Sequence, residues 1–227
     1  MLVGFEGSGT LNVEDGGLVN NNSGLIAISL NPGSTGVATV TGSGSQWNNF
    51  GGLAIGGSLT YDGGVGTLNI SNTGKVNVGG DLYTFYADTA LTVSDSGSNG
   101  VLWVRNGSTI ENAGFARIGL ITGSSGTATV TGEGSQWNNL GGLDVGHLGV
   151  GTLNIQAGGR VSNSSGYVGF RPDSFGYVTV TGAGSQWNNT DRLYVGYEGV
   201  GSLSVEAGGV VTNTQGYVGY YDNGFTS

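Results

Sequence analysis

The sequence predicts an all-β fold, a three-sided parallel β-helix with about eight coils of roughly 25 residues each. Three observations predict this class: a repeat of nearly fixed length, strict alternation of apolar and polar residues within it, and glycine-rich corners. Glycine accounts for 49 of the 227 residues. Since no helical periodicity extends beyond one turn, an all-β fold is favoured over a mixed α/β fold.

Each repeat opens with a glycine that is followed by alternating apolar residues. The eight starts are Gly9, Gly36, Gly66, Gly100, Gly126, Gly151, Gly176 and Gly201, and the last three are evenly spaced. In the coil that starts at Gly151, the apolar residues are Leu153 and Ile155. Because residues two apart share one face of a strand, these positions predict two inward columns that run from coil to coil.

An asparagine ends the second strand of seven coils, twelve or thirteen positions after the starting glycine: Asn21, Asn49, Asn112, Asn139, Asn163, Asn189 and Asn213. The third coil differs, with Val76-Asn77-Val78. This spacing predicts a ladder of stacked asparagine side chains at one corner. The alternative is that asparagine serves there as a turn residue in the left-handed region.

Three coils carry the motif GSQWNN and therefore a tryptophan on the second strand, at Trp47, Trp137 and Trp187. In two of these coils the first inward position shrinks to Ala38 or Ala128. We expect the tryptophans to point inward and fill the volume released, because protein cores are close-packed. An exposed tryptophan that stacks on a ligand is the alternative.

The third strand is predicted from Leu53-Ala54-Ile55-Gly56 and its equivalents Leu143 to Gly146 and Leu193 to Gly196, with shorter versions at Tyr167 and Tyr217. Three short strands per coil predict three sides. The stretch 82–99 fits the repeat worst, and we expect an irregular segment there that bulges as a loop.

Composition excludes several classes of function. Only 9% of residues are charged and the net charge is −9, which argues against binding to nucleic acid or to anionic lipid. Cysteine is absent, so no disulfide framework holds the fold. No apolar run approaches the length that spans a bilayer, so no direct membrane insertion is expected. The first residues lack the features of a signal peptide, which places any targeting or anchoring segment outside this stretch.

Candidate catalytic groups are sparse. The carboxylates Asp62, Asp88, Asp95 and Glu111 lie near Arg105 and Arg117 in the sequence, but Arg105 and Glu111 fall on different predicted faces. His147 is alone in its turn, with neither a cysteine nor a second histidine, and Asp15, Asp62 and Asp222 are dispersed. We therefore expect no catalytic, cofactor-binding or metal site. A carbohydrate-active enzyme on the same fold is the rival hypothesis, and a cleft with paired carboxylates would favour it.

Two outward surfaces are candidates for binding. Threonines such as Thr39, Thr129 and Thr179 line the first predicted sheet; this array suggests ice binding, although β-propensity alone explains it and Trp103 and Arg105 interrupt it. Aromatic residues gather in the last three coils: Tyr167, Phe170, Phe175, Tyr177, Tyr194, Tyr197, Tyr217, Tyr220, Tyr221 and Phe225. Of these, Tyr167, Tyr194, Tyr197, Tyr217, Tyr220 and Tyr221 form a candidate surface for a glycan or protein partner. Stacking between neighbouring coils is the alternative.

The motif VTGxGSQWNN followed by LxVG and GTLNI resembles the repeats in passenger regions of type V autotransporters. It recurs at Val40 to Asn49, Val130 to Asn139 and Val180 to Asn189. The resemblance implies a right-handed parallel β-helix at the bacterial cell surface or outside the cell. It also implies a structural or adhesive role in adhesion, aggregation or biofilm, with a host or matrix receptor as partner.

Both termini fall inside a repeat: Leu2 to Gly9 aligns with Tyr194 to Gly201, and Gly216 to Gly219 aligns with Gly166 to Gly169. A solenoid normally carries atypical capping units at its ends. We therefore expect no end caps on this stretch. Uncapped strand edges predict end-to-end self-association.

Overall fold

The computed structural model describes residues 1–21, 26–28, 33–56, 64–79, 90–93 and 99–220. These ranges contain strands, turns and bends but no helix, so none of them holds a helix long and apolar enough to cross a membrane. The strands, numbered β1 to β25 in chain order, form three sheets, and every described pairing between neighbouring strands is parallel. The predicted all-β parallel solenoid is confirmed.

The first sheet contains the strands that open each coil. It comprises β2 (Ser8–Val13), β5 (Thr35–Thr41), β8 (Val65–Ser71), β11 (Asn99–Arg105), β14 (Ser125–Thr131), β17 (Val150–Gln156), β20 (Phe175–Thr181) and β23 (Val200–Glu206). The second sheet comprises β3 (Leu18–Asn21), β6 (Gln46–Asn49), β9 (Lys75–Val78), β12 (Thr109–Asn112), β15 (Gln136–Asn139), β18 (Arg160–Asn163), β21 (Gln186–Asn189) and β24 (Val210–Thr212).

The third sheet closes each coil. It comprises β1 (Leu2–Val3), β4 (Ile26–Ile28), β7 (Leu53–Ile55), β10 (Ala90–Val93), β13 (Phe115–Ile118), β16 (Leu143–Val145), β19 (Gly166–Val168), β22 (Arg192–Val195) and β25 (Gln215–Val218). In each sheet neighbouring strands come from successive coils. One turn of the chain therefore adds one strand to each side.

The register is the one that the repeat predicts. Leu153 pairs with Val178, and Val178 pairs with Leu203. The inward positions of the middle coils are fully buried, as at Leu153 and Ile155. Like residues therefore stack on like residues, and the interior is filled column by column.

Backbone crowding explains the starting glycine of four coils, Gly9, Gly151, Gly176 and Gly201. A β-carbon added to Gly176 would lie 2.2 Å from the carbonyl oxygen of Val145 and 2.4 Å from the amide nitrogen of Gly169. Both belong to third-sheet segments that pass behind the start of the first-sheet strand. Any side chain at this position would displace the corner, so the glycine is a packing requirement.

The tryptophans of the GSQWNN coils point inward. Trp47, Trp137 and Trp187 are each fully buried, and so are Ala38 and Ala128 on the facing strands. This confirms the volume argument made from the sequence. It also removes the exposed, ligand-stacking tryptophan as a role for these three residues.

The stretch 82–99 is more regular than expected where the structure describes it. Strand β10 lies within this stretch and pairs with β7 on one side and β13 on the other. The third coil therefore does have a third-sheet strand, which the sequence pattern missed. Most of the remaining residues of the stretch lie outside the described ranges.

Candidate functional site

One outward column of the third sheet changes its chemistry along the solenoid axis. In register it runs Arg117, Asp144, Tyr167, Tyr194 and Tyr217. The parallel register places each side chain directly over the next, because equivalent residues pair across successive coils. The column therefore passes from charged to aromatic residues between Asp144 and Tyr167.

A second column runs beside the first, in the corner that follows each third-sheet strand. The backbone amides of Phe170, Tyr197 and Tyr220 donate to carbonyl oxygens of the preceding coil at 2.9–3.0 Å, which keeps this corner in register. His147 occupies the equivalent place one coil before Phe170. Together the two columns form an aromatic strip of six rings: Tyr167, Phe170, Tyr194, Tyr197, Tyr217 and Tyr220.

Rings within each column are stacked. In the first column Tyr167 and Tyr194 have centroids 5.0 Å apart and planes 7° apart, and Tyr194 and Tyr217 follow at 4.9 Å and 9°. In the second column Tyr197 lies 5.3 Å from Phe170 and 5.2 Å from Tyr220. Nearly parallel rings at these distances are in the offset-stacked arrangement that aromatic pairs prefer.

Rings in different columns meet edge to face. Tyr194 and Tyr197 have centroids 5.1 Å apart with planes 82° apart, and Tyr217 and Tyr220 meet at 5.1 Å and 76°. The strip is thus a herringbone in which rings cover the faces of their neighbours, and Tyr194 is only 6% exposed. Stacking between neighbouring coils is confirmed. A glycan would meet ring edges and hydroxyl groups along most of the strip, and glycan binding stays a prediction.

A charged cluster of Arg117, Asp144 and His147 lies where the aromatic strip begins. Asp144 is 4% exposed, and its Oδ2 lies 2.8 Å from His147 Nδ1 and 3.4 Å from Arg117 Nε. The His147 ring packs against Phe170 with centroids 5.1 Å apart. The sequence did not predict this contact, which forms because the corner after β16 turns the imidazole back onto Asp144.

Asp144 was missed as a site residue because it is a single carboxylate within an apolar strand, Leu143–Val145. The available signal was the register: aligning the coils places Asp144 between Arg117 and Tyr167. A buried carboxylate is stabilised when cations and donors surround it. The cluster therefore has an electrostatic reason to exist without any reaction.

The junction of cluster and strip affects Tyr167. Burial of the phenol, followed by the influence of Tyr194 and Asp144, raises the pKa of Tyr167 above its ordinary value of 10.0. The Asp144 carboxylate opposes a second negative charge beside it. Tyr167 therefore remains a neutral phenol over a wide range of pH.

Arginines flank the aromatic strip at its solvent edge. Arg171 lies 4.8 Å from the centre of the Phe170 ring and its Nη1 lies 3.9 Å from Glu198 Oε2. On the other side Arg192 Nε donates to Gln215 Oε1 at 3.2 Å, and Tyr217 donates to the same oxygen at 3.1 Å. These contacts are exposed, so each contributes little to stability.

Two members of the predicted aromatic group lie elsewhere. Phe175 and Tyr177 are on β20 in the first sheet, where they are 41% and 44% exposed. The grouping in sequence was wrong for them, because the chain turns the corner between Phe170 and Phe175. Tyr221 and Phe225 lie outside the described residues.

The structure separates two of the candidate catalytic residues that it describes. Arg105 ends β11 in the first sheet and Glu111 lies on β12 in the second, as the sequence predicted. Within the described ranges no three residues among His, Cys, Asp and Glu are grouped so as to hold a metal ion. Asp62, Asp88, Asp95 and Asp222 lie outside the described residues.

The second sheet carries the predicted asparagine ladder on its inner face. Asn112 Nδ2 donates to Asn139 Oδ1 at 3.0 Å, and Asn163 Nδ2 donates to Asn189 Oδ1 at 2.7 Å. None of these four residues has a positive φ. The ladder is confirmed for these pairs, and the left-handed turn explanation is wrong for them.

Tryptophans of the same sheet join this inner ladder. Trp137 Nε1 donates to Asn139 Oδ1 at 3.0 Å, and Trp187 Nε1 donates to Asn163 Oδ1 at 2.7 Å. Trp47 Nε1, by contrast, is buried with no hydrogen-bond partner among the described residues. The indole N–H therefore bonds within its own Trp-Asn-Asn motif at Trp137, and to the asparagine of the preceding coil at Trp187.

A second polar ladder, which the sequence did not predict, lies on the outer face of the second sheet. Asn48 donates to Asn20 Oδ1 at 2.8 Å, Asn138 donates to Glu111 Oε1 at 3.0 Å, and Ser162 donates to Asn138 Oδ1 at 3.0 Å. Glu111 is thus a ladder member. This contact gives Glu111 a structural role.

Among known proteins, one is similar to this chain in sequence and one solved structure is weakly similar to it. The uncharacterized lipoprotein YdeK of Escherichia coli (strain K12) is 32% identical over an alignment of 174 residues that covers 71% of this chain and 12% of YdeK. The chain therefore spans only a small part of that relative. No protein-family model matches the chain.

The distant structure is a crystal structure of a TibC-catalyzed hyper-glycosylated fragment of TibA. It is 18% identical, covers 96% of this chain and 79% of the TibA fragment, and has a TM-score of 0.21. A TM-score this low does not establish that the two proteins share a fold. The fold and its surface define the class of protein: a parallel β-solenoid with polar ladders on one side and an aromatic strip on another.

Proposed function

We propose that the chain is a structural and adhesive segment of an exported bacterial surface protein. The observation that carries this proposal is the uninterrupted stacking of coils into a shaft whose outer columns are amide, hydroxyl and aromatic side chains. Such a shaft displays a long surface while each coil contacts only its neighbours. The similarity to a relative named as a lipoprotein supports export and a place at the cell surface.

We further propose that the segment is not an enzyme. The ion pairs among the described residues, Asp144 with Arg117 and His147, Arg171 with Glu198, and Arg192 with Asp191, each contain a single carboxylate. A glycoside hydrolase needs two carboxyl groups that face the scissile bond. The charged cluster contains one carboxylate, which supports a role in packing.

Location is the first test. An antibody raised against residues 99–220 should label intact cells of the producing bacterium, and external protease should remove the label. A cytoplasmic marker in the same cells is the control for leakage. Labelling only after the cells are permeabilised would overturn the proposal.

Two matched deletions separate a spacer from a binding surface. Deletion of residues 151–200 from the full-length protein joins Val150 to Gly201 and removes two coils together with Tyr167, Tyr194 and Tyr197. Deletion of residues 100–150 joins Asn99 to Gly151, also removes two coils, and keeps the aromatic strip. Both junctions recreate the register of the repeat.

A spacer predicts that both deletions lower adherence, aggregation and biofilm mass to the same extent. An adhesive aromatic strip predicts that only the deletion of residues 151–200 lowers them. Unchanged values in both variants, at equal surface amounts, would show that the segment has neither role. End-to-end association of the isolated segment stays a prediction, which sedimentation at rising concentration tests.

A further inference from the structure

The stacking inside the aromatic strip brings tyrosine rings of successive coils into reach of one another. Three pairs are both tyrosines and stacked: Tyr167 with Tyr194, Tyr194 with Tyr217, and Tyr197 with Tyr220, at centroid distances of 4.9–5.2 Å. The planes within these pairs are 7–10° apart. Each pair joins neighbouring coils, so a bond between two rings would join the coils.

Ring carbons in these pairs lie closer than the centroids. Parallel rings pack with their planes about 3.5 Å apart. A centroid distance of 5.0 Å for Tyr167 and Tyr194 therefore corresponds to a lateral slip of roughly 3.5 Å. The edge of one ring therefore lies over part of the next ring, about 3.5 Å from its plane.

We propose that the aromatic strip is a site of oxidative modification, in which a haem peroxidase with hydrogen peroxide couples stacked tyrosines to dityrosine. Each phenol gives up one electron and one proton and becomes a phenoxyl radical. The two radicals form one carbon–carbon bond between the positions beside their hydroxyl groups. Each of those carbons then loses its hydrogen, the hydroxyls are restored, and the peroxide takes up two electrons and two protons to give two waters.

Disulfides cannot link the coils of this chain, because it contains no cysteine. Tyrosine coupling is an oxidative cross-link that the composition does allow, and the stacked pairs supply its partners. The oxidant is hydrogen peroxide supplied from outside the protein, and exposure of the segment to it in the organism rests on the proposed export. The proposal concerns chemistry of the folded chain and is independent of whether the strip binds a partner.

Solvent exposure and the ease of losing the phenol proton determine the order in which the stacked tyrosine pairs should couple. Tyr220 is 45% exposed, whereas Tyr194 is 6% exposed, so oxidation begins at Tyr220 and its column. Burial and the nearby Asp144 raise the pKa of Tyr167, which makes loss of its proton harder. We therefore expect Tyr197–Tyr220 to couple first and Tyr167–Tyr194 last.

The test is treatment of the folded chain with hydrogen peroxide and a haem peroxidase, at a protein concentration low enough to keep molecules apart. Dityrosine fluorescence and a mass loss of two hydrogen atoms per cross-link report the product. Proteolysis and mass spectrometry locate it. The expected result is intramolecular dityrosine that maps to the three stacked pairs.

Matched variants decide between selective and random coupling. The double variant Tyr194→Phe with Tyr197→Phe keeps all six rings but removes one phenol from every stacked pair, so most of the dityrosine should be lost. The single variants should each lose only their own cross-links. Tyr177→Phe removes an exposed phenol on the first sheet and should leave the yield unchanged.

Treatment in urea provides the last comparison, because unfolding separates the pairs and should spread the cross-links over all tyrosines. The proposal is overturned if the double variant forms as much dityrosine as the original chain. It is equally overturned if the cross-links in the folded chain involve Tyr177 as often as the stacked pairs, or join only different molecules.

Discussion

The second and third sheets have the same parallel register, but they stack different chemistry on it. On the second sheet amide side chains donate and accept along the axis, as from Asn163 to Asn189 at 2.7 Å. On the third sheet phenol rings stack, as Tyr194 does on Tyr217 at 4.9 Å. The comparison teaches that the solenoid selects side chains that complement copies of themselves, whether by hydrogen bonds or by offset stacking.

The two sheets also differ along the axis. The outer polar column of the second sheet remains polar from Asn20 to Thr212. The matching column of the third sheet changes from Arg117 and Asp144 to three tyrosines. The second sheet therefore has a uniform structural role, whereas the third sheet has a local feature that is a candidate for function.

The largest expected effect is in the core beneath the second sheet. Trp137→Ala empties the space of a fully buried indole and should lower the free energy of unfolding by about 3–5 kcal/mol, measured by urea unfolding. Trp137→Phe keeps an aromatic ring but removes the indole N–H and its hydrogen bond to Asn139. Trp47→Phe removes a buried N–H that has no described partner, so it should cost less than Trp137→Phe.

The inner asparagine ladder should come next. Asn163→Leu leaves the Trp187 indole N–H and the Asn189 side-chain Oδ1 without their hydrogen bonds in a buried site. The free energy of unfolding should fall by about 2–3 kcal/mol. Asn138→Ala, in the outer ladder that water can reach, should cost less than about 1 kcal/mol. Equal losses in the two variants would mean that burial of the ladder has no energetic importance.

At the point where the third sheet changes chemistry, Asp144→Asn should be destabilising. Arg117 would lose its ion pair and His147 a charged hydrogen-bond partner, and hydrogen bonds to charged groups contribute about 1.5–3 kcal/mol. A loss of about 2 kcal/mol in urea unfolding is expected at neutral pH. Glu133→Gln changes an exposed carboxylate of the same coil and serves as the control; a similar loss there would contradict the assignment.

The aromatic strip should contribute less than the inner ladder at any single ring. Tyr194→Leu keeps an apolar side chain but loses its stacked and edge contacts, so about 1–2 kcal/mol of unfolding free energy should be lost. Tyr194→Phe retains the ring and should stay within about 0.5 kcal/mol of the original. If Tyr177→Leu on the first sheet lowers the free energy of unfolding as much as Tyr194→Leu does, the herringbone contacts add nothing to stability.

The smallest expected effect is a pH dependence that arises from Tyr167 on the third sheet. Burial, then Tyr194 and Asp144, raise the pKa of Tyr167, so the unfolded chain releases this proton before the folded chain does. Its contribution is fully present below about pH 10 and is lost as the pH rises further. Tyr167→Phe should flatten this decline in urea midpoints measured at about pH 9 and about pH 11.

Much of the fold could be predicted because equivalent residues of successive coils have the same surroundings. The alternation at Leu153 and Ile155 gave the inward columns, and the alanines at Ala38 and Ala128 gave the inward tryptophans. Strands β10 and β13 were missed because their sequences lack the Leu-x-Val-Gly pattern, and they are strands only because neighbouring coils supply both partners. Tertiary pairing overrode a weak local signal there.

The candidate site was only half predictable. The tyrosines were visible as a cluster in the sequence, but Phe175 and Tyr177 were grouped with them although they lie on another side. The herringbone could not be predicted, because ring tilt depends on two adjacent columns. The partnership of Asp144 with Arg117 and His147 also needed the register, since Arg117 and Asp144 belong to successive coils and are far apart in the sequence.

By itself the sequence determined the coil, because glycine spacing and period-two alternation act within a few residues and are repeated eight times. Only the tertiary structure decided which outward side chains meet. Such contacts form between residues about one coil apart, and a shift of a single residue in register would turn each side chain to the opposite face. The chemistry of the surface therefore depends on the register, while the existence of the solenoid depends on the repeat.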